Sequence, residues 1–389
     1  MTHVLVVGGG LAGLLTVQAL LDRADDRAAG PTAGPTDGPT AGPTDGLTVT
    51  WLVHRPGDGT ASRSGGLALR YASTDPRGDA WTARSAVLAA ALADRHRHVR
   101  PFVGTTEALL VSHRGPVTGY PGRIVDPADA GLPHPHGLRH EAGPQWDPCG
   151  LLPRWPAVLV ADPRVRLHPL PAPLTGLADL VDLHDRHDAT TTVACLGLGA
   201  HVLGDDRLRG RLGVLLRGPL PAGSVHAERA VIDDDDELRP RYTVPHGSSG
   251  QDGSGRDGHL HVGGTYLPVD NPADWDDPSR LADRAHAEVP ALLADVARRF
   301  PDLAGWQPDR PPWWGIRPVR DEVALGRVAP ELVGGREVVV SHGYGGSGWT
   351  IGPAVAEEVA MSLLPDPAPA SAWGPGSTDP LARHGHWRP

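Results

Sequence analysis

Three glycines near the N-terminus carry the first chemical signal of this chain. In the segment VLVVGGGLAGLLTVQAL, Gly8, Gly10 and Gly13 stand in the G-x-G-x-x-G spacing. The chemistry such a spacing serves is the binding of a pyrophosphate. Gly8 permits a tight turn, Gly10 lets the backbone approach the phosphates, and Gly13 lets the following helix pack closely on the strand before it. With Leu11 and Ala12, the helix start presents N–H groups and a positive dipole end to the negative charge. The glycines follow an apolar strand and open an apolar-periodic helix, which is the context a dinucleotide site requires. An acidic residue usually ends the second strand and bonds the ribose hydroxyls; here His54 and Arg55 stand there. An arginine at that point can reach a phosphate or stack on adenine, so these residues alone leave NADP open.

Other residue types close off whole classes of chemistry. The chain has no lysine, which removes a Schiff-base lysine and the lysine of a Walker A loop. Cys149 and Cys195 are its two cysteines; they make no disulfide framework and fit no zinc spacing. Cys195, inside TTTVACLGLG, reads as a plain buried residue. A formal net charge of −10 argues against a nucleic-acid partner, whose phosphates need an Arg/Lys surface. No apolar run approaches the roughly 18 residues of a membrane span. A cytoplasmic protein with no membrane partner is the expectation, and arginine in place of lysine with abundant Ala, Gly and Pro suggests a GC-rich bacterial genome.

The elements that must position these residues alternate between β and α. Strands are predicted at 4–7, 47–53, 191–199, 259–266 and 337–341, and helices at 11–21, 81–95, 279–300 and 352–364. Three stretches read as unstructured: the GPT(A/D) near-repeat of 30–46, the Gly/Ser/Asp-rich 246–259, and the Pro-rich 365–389. Strand–helix–strand patterns near both ends, with strand-rich material between, predict an α/β fold whose dinucleotide domain is assembled from discontinuous segments.

Three segments then resemble one family in a consistent order: RPGDGTASRSGGLAL (55–69), WWGIRPVRDEVALG (313–326) and SHGYGGSGWTIGPAVAEEVA (341–360). They are similar to the pyrophosphate-wrapping loop, the G-[IFL]-R-P-x-R segment and the C-terminal flavin segment of the D-amino-acid oxidase family, in the group that includes glycine and sarcosine oxidases. The resemblance implies FAD as the dinucleotide. It implies a Rossmann-like FAD-binding domain of glutathione-reductase type over 1–72, 150–218 and 315–364. An α+β substrate domain with a mixed or antiparallel sheet would take 73–149 and 219–314, leaving 365–389 as a flexible tail.

The same resemblance assigns roles. Arg317 matches the arginine that pairs with the substrate α-carboxylate, a task suited to a planar guanidinium. Tyr242, in RPRYTVPHG, matches a tyrosine contacting the same group, and the family's second active-site tyrosine has no clear counterpart. Ser341 to Gly346 align with N-Y-G-H-G-G, so His342 and Tyr344 exchange the aromatic and imidazole positions, and the Gly346 carbonyl would receive the amino group. FAD contacts are implied for Thr60, Ala61, Ser64, Gly65, Gly66, Ala172, Gly345, Ser347, Gly348, Trp349 and Thr350, beside the N-terminal turn. Gly345, Gly346 and Gly348 let the backbone lie against a flavin edge, and a final helix opened by Gly352-Pro353 would aim its N-terminus at the flavin. Trp313, Trp314 and Trp349 fit pocket wall or core equally well.

Neither cysteine lies at a family attachment point, and Arg63-Ser64 precede Gly65-Gly66, so FAD is expected to be non-covalent. The implied reaction is oxidation of a C–N bond in an amino acid or related amine. A hydride passes from Cα to flavin N5, the imine hydrolyses, and O2 reoxidises the flavin to give H2O2. With no lysine to promote oxygen reduction, another cation would be needed. Two other enzymes remain open: a tailoring oxidase or dehydrogenase acting on a larger amine or N–N compound, and an NAD(P)H-dependent flavin reductase. The reductase would need a second phosphate turn, for which GLGAHVLG (197–204) has the wrong spacing. A flavin-binding protein without catalysis is the last alternative.

Overall fold

Short, largely apolar runs become parallel strands at Thr2–Val7, Leu47–Val53, Thr191–Ala194 and Val338–Tyr344, with the mostly exposed VRLHP of Val165–Pro169 as the edge strand. These elements belong to a computed structural model that describes residues 2–29, 46–54, 75–118, 122–170, 172–233, 235–247, 258–366 and 379–389. The strands lie in the order 338–344, 191–194, 2–7, 47–53, 165–169, and every neighbouring pair is parallel. Val4–Val7 and all of Val338–Tyr344 are buried, as strands covered on both faces must be. Helices Leu11–Ala29, Gly78–Arg95 and Gly348–Leu363 cover one face, contributing Leu14, Val17, Leu92, Val355 and Val359 to its core. Leu180 and Leu183 of the helix Leu177–Arg186 pack on the other.

The second half is a mixed sheet of mostly antiparallel strands, including Val103–Ser112, His136–Trp146, Arg209–Pro219, Ala230–Asp233, Arg241–His246 and His259–Gly263. Helix Ala282–Arg299 covers it through Ala285, Leu292 and Val296. The two halves are one sheet, joined by the 16-residue strand Trp313–Val328. Its first part, Trp313–Val319, pairs with Arg209–Pro219; past an irregularity between Val319 and Ala324, its last part pairs with Val338–Tyr344. Arg317 stands just before this change of partner.

Three expectations need correction. The strand predicted at 191–199 ends at Ala194, and a 3-10 helix runs from Gly197, whose φ of 57° breaks the ladder, to Leu203. The last helix begins at Gly348, so Pro353 lies inside it; the neighbouring Ala354 N–H is bonded at 3.1 Å by the Ser85 hydroxyl of helix Gly78–Arg95. The chain end is not a loose tail. Residues 379–389 dock, with His386–Trp387 pairing to Arg327 and Val328 and Trp387 entering the core. Asp379 anchors the segment on Arg327 at 2.6 Å, an interaction that apolar periodicity could not reveal. The remainder of the three stretches read as unstructured lies mostly outside the described residues: 30–45, 248–257 and 367–378.

Candidate active site

The phosphate turn forms as its residue types require. Gly8 has φ of 137°, and a Cβ there would lie 2.1 Å from the Cys195 carbonyl oxygen. At Gly13 a Cβ would lie 2.2 Å from the Gly8 carbonyl oxygen, so only glycine lets the helix start this close to the turn. Trp51 Nε1 donates to that same carbonyl at 2.8 Å, fixing the turn from the neighbouring strand. Helices Leu11–Ala29 and Gly348–Leu363 pack tightly side by side, since a Cβ on Gly352 would lie 2.8 Å from Leu15 Cδ1. Neither carries an acidic residue in its first turn, so both leave a positive dipole end uncompensated.

Both helix starts open on one cleft of about 330 Å³. Gly8, Gly10, Leu11 and Ala12 line one end, and Gly343, Tyr344, Gly345, Gly346, Gly348 and Trp349 line another part. Arg317 also reaches this cleft. Its Nη1 donates to the Thr265 carbonyl at 2.7 Å, and its guanidinium lies against Gly213, where a Cβ would come within 2.1 Å of Nη1. Among the described residues Arg317 has no carboxylate partner. Tyr266 lies beside it, with the Arg317 and Arg211 guanidinium carbons 5.7 and 5.9 Å from its ring centroid. Burial raises the Tyr266 phenol above its ordinary value against the opposing pull of both arginines, so the hydroxyl stays protonated.

Beside the cleft lies a buried polar triad. His342 Nε2 meets Asp205 at 2.7 Å, and Arg320 Nη1 donates to the same carboxylate oxygen. Burial acts to raise Asp205, but His342 and Arg320 outweigh it and hold the carboxyl below its usual range. His342 is pushed down, chiefly by burial, and is neutral at pH 7. Cys195 is inert: burial raises its thiol to about 12, with Thr16 Oγ1 3.6 Å from its sulfur.

The structure thus brings together Gly8, Gly10, Leu11, Ala12, His54, Arg317, Tyr344, Gly345, Gly346, Gly348 and Trp349 around one cavity, with Gly13 directly behind the turn. Tyr344 is turned partly inward, its hydroxyl 2.6 Å from Ser341 Oγ. Ser347 and Thr350 do not line the cleft, and Ala172 is exposed beside the lining residues Pro173 and Leu174. Tyr242 is also absent from the lining; its ring packs across Gly263 and Gly264, next to Thr265. Trp314 and Trp349 line the cavity and Trp313 does not. Arg55, Thr60, Ala61, Ser64, Gly65 and Gly66 lie outside the described residues. Sequence reasoning missed Trp275, which lines the cleft, and Tyr266, Arg211 and Asp205, which stand next to the lining residues Arg317 and His342 without lining it themselves. Tyr266 closes the segment HLHVGGTY, where nothing in the spacing separates it from an ordinary strand residue.

The glycine-lined turn and the two helix starts suit the phosphates and flavin edge of FAD, and comparison with known proteins agrees. Residues 171–361 match the family model DAO, FAD dependent oxidoreductase. No curated protein matches the sequence. Among solved structures, the glycine oxidase of Geobacillus kaustophilus superposes with a TM-score of 0.65 at 17% identity, over 93% of this chain and 95% of that one. Iminodiacetate oxidase (IdaA) from Chelativorans sp. BNC1 gives 0.62 at 17% identity, over 94% and 96%. L-proline dehydrogenase from P. horikoshii gives 0.62 at 15% identity, over 100% and 99%. These likenesses show a common fold. Residues 171–361, just under half of the chain, are thus similar to the DAO family of FAD dependent oxidoreductases.

Proposed function

We propose that this protein oxidises the C–N bond of an amino acid or related amine bearing a carboxylate, with non-covalent FAD and O2 as the final acceptor. The observation that carries this reading is Arg317, a cleft-lining guanidinium with no carboxylate partner among the described residues. Its Thr265 bond and the flat seat on Gly213 fix the plane of the guanidinium and leave further N–H groups for a ligand. Arg211 adds a second positive charge, and Tyr266 a neutral hydroxyl. Gly346 lines the cleft beside Arg317, and its carbonyl is the group that would accept an N–H from a bound amine. FAD bound along the cleft supplies the acceptor for a hydride equivalent. The residues around it orient the substrate and exclude water, and no side chain need act as a general base. The high pKa of Cys195 supports a flavin held without a thioether.

Trp275 and Trp314 also line the cleft, which favours a cyclic or aromatic amine as the second reading. The 3-10 helix Gly197–Leu203 lines the same cavity instead of building a second nucleotide site, which counts against a reductase. The test is anaerobic mixing of the FAD-loaded protein with glycine, a D- and L-amino-acid panel, N-substituted amino acids and cyclic amines. Bleaching of the flavin by a carboxylate-bearing amine is expected, and NADPH should leave the flavin oxidised. Arg317→Leu should lower kcat/KM at least about thirtyfold, the loss of about 2 kcal/mol typical of a desolvated charge pair, with FAD still bound. An unchanged kcat/KM would remove Arg317 from the site.

A further inference from the structure

Away from the cleft, three histidines gather at one end of a β-hairpin. His246 ends the strand Arg241–His246, His259 begins His259–Gly263, and the two are direct cross-strand partners. His261 lies two residues further on, paired across the strands with Arg217. The ring centroids are 4.4 Å apart for His246 and His261, 4.8 Å for His259 and His261, and 5.2 Å for His246 and His259. Asp147, just beyond the strand His136–Trp146, completes the group. Its carboxylate and one nitrogen each of His246 and His259 lie within 4.8 Å of one another. Among the described residues, His246 Nε2, His259 Nε2 and His261 Nδ1 are buried and have no hydrogen-bond partner.

Packing alone explains this group poorly. An imidazole buried for its apolar surface still needs both ring nitrogens satisfied, and here three go unmet in one place. We propose that Asp147, His246 and His259, with His261 as an additional ligand, form a binding site for a divalent transition metal, best matched by zinc. Imidazole and carboxylate are zinc's usual donors, and a tetrahedral site sets them about 3.3 Å apart, within reach of small side-chain shifts here. The Gly150 N–H bonds Asp147 Oδ1 at 3.0 Å and orients the carboxylate, while His246 Nδ1 faces the Gln145 amide at 3.5 Å. Arg217 is the strongest charge felt at His259, opposed there by the carboxylates of Asp147 and Asp309. A second cluster, His113, His134 and Asp233, is less suited, because Arg299 already occupies Asp233 at 2.7 Å.

The test uses the full FAD-loaded chain with any affinity tag removed. After dialysis against a chelator, one equivalent of zinc is added, and bound metal is measured by mass spectrometry beside the thermal transition. Wild type should retain about one zinc per chain and melt at higher temperature with it. Asp147→Asn and His259→Gln should each weaken zinc binding at least tenfold and lose the thermal shift. His259 is only partly buried, so its variant is the one expected to keep the wild-type circular dichroism. His113→Ala should behave as wild type. Zinc retention by His259→Gln equal to wild type, loss in His113→Ala instead, or a wild type that binds none, each overturns the proposal.

Discussion

At the scale of single residues, the proposed grip of Arg317 on a carboxylate depends on what surrounds the guanidinium. The guanidinium is anchored on Thr265, and Tyr266 lies beside both it and its cross-strand partner Arg211, with its hydroxyl protonated. A phenol in that position can donate to a bound anion, whereas a phenylalanine keeps the packing and removes only the bond. Tyr266→Phe should therefore raise KM for a carboxylate-bearing substrate about tenfold, near 1.4 kcal/mol, with FAD binding unchanged. Steady-state kinetics would check this, and an unaltered KM would leave Tyr266 a packing residue. That Arg317 would reach the cleft was legible through the resemblance of G-I-R-P-V-R to a family segment. Tyr266 was not, because its importance comes from a strand pairing that sets residues 211, 265 and 317 together. Asp205 escaped for the same reason: His342 and Arg320, which define its role, lie 137 and 115 residues away.

At the scale of elements, charge and close approach hold together pieces that hydrophobic periodicity only sketches. Helix Ala282–Arg299 is tied to strand Ala230–Asp233 by Arg299, whose Nη1 lies 2.7 Å from Asp233 Oδ1. Burial acts to raise Asp233, but His134, the Asp235 N–H and Arg299 outweigh it and hold the carboxyl at about 2. A folded-state value below the unfolded one means the unfolded chain binds the proton more readily. The stabilisation is therefore complete above pH ~4 and disappears as the pH falls toward ~2, a contribution of about 2 kcal/mol. Asp233→Asn should lower stability at neutral pH by about 2 kcal/mol, since Arg299 is left with Asp295 alone, and should flatten the loss below pH ~4. Urea unfolding at pH ~6 and pH ~3 checks both parts; equal acid sensitivity in the variant would assign that loss to other carboxylates. The helices themselves were readable, but not their ends. Pro353 looked like a first-turn residue because proline favours that place, yet the Ser85 hydroxyl takes up the next N–H and the helix runs through. The docked strand His386–Trp387 was hidden because two residues carry no period at all.

At the scale of the whole molecule, the cleft is built from parts that meet only when the sheet is complete. Residues near 8–12, 195–202 and 342–349 line it together, and the strand Trp313–Val328 links their half to the half that holds Tyr266. The order of the three family-like segments announced the cofactor-binding half, but no local pattern shows that both halves share one continuous sheet. That continuity has a thermodynamic consequence. A ligand that contacts sequence-distant segments binds the folded chain and not the unfolded one, so its binding free energy adds to the stability of the whole fold. Free FAD at one hundred times its Kd should add about 2.7 kcal/mol, and the melting temperature should rise with FAD concentration accordingly. Flavin fluorescence, far-UV circular dichroism and tryptophan emission should then report one coincident transition. Trp51 and Trp349 lie in the cofactor half and Trp306 beside the core of the other, so tryptophan emission samples both. Flavin release well below the temperature at which the dichroism is lost would show that the cleft opens independently, and that the joining strand does not make the two halves cooperative.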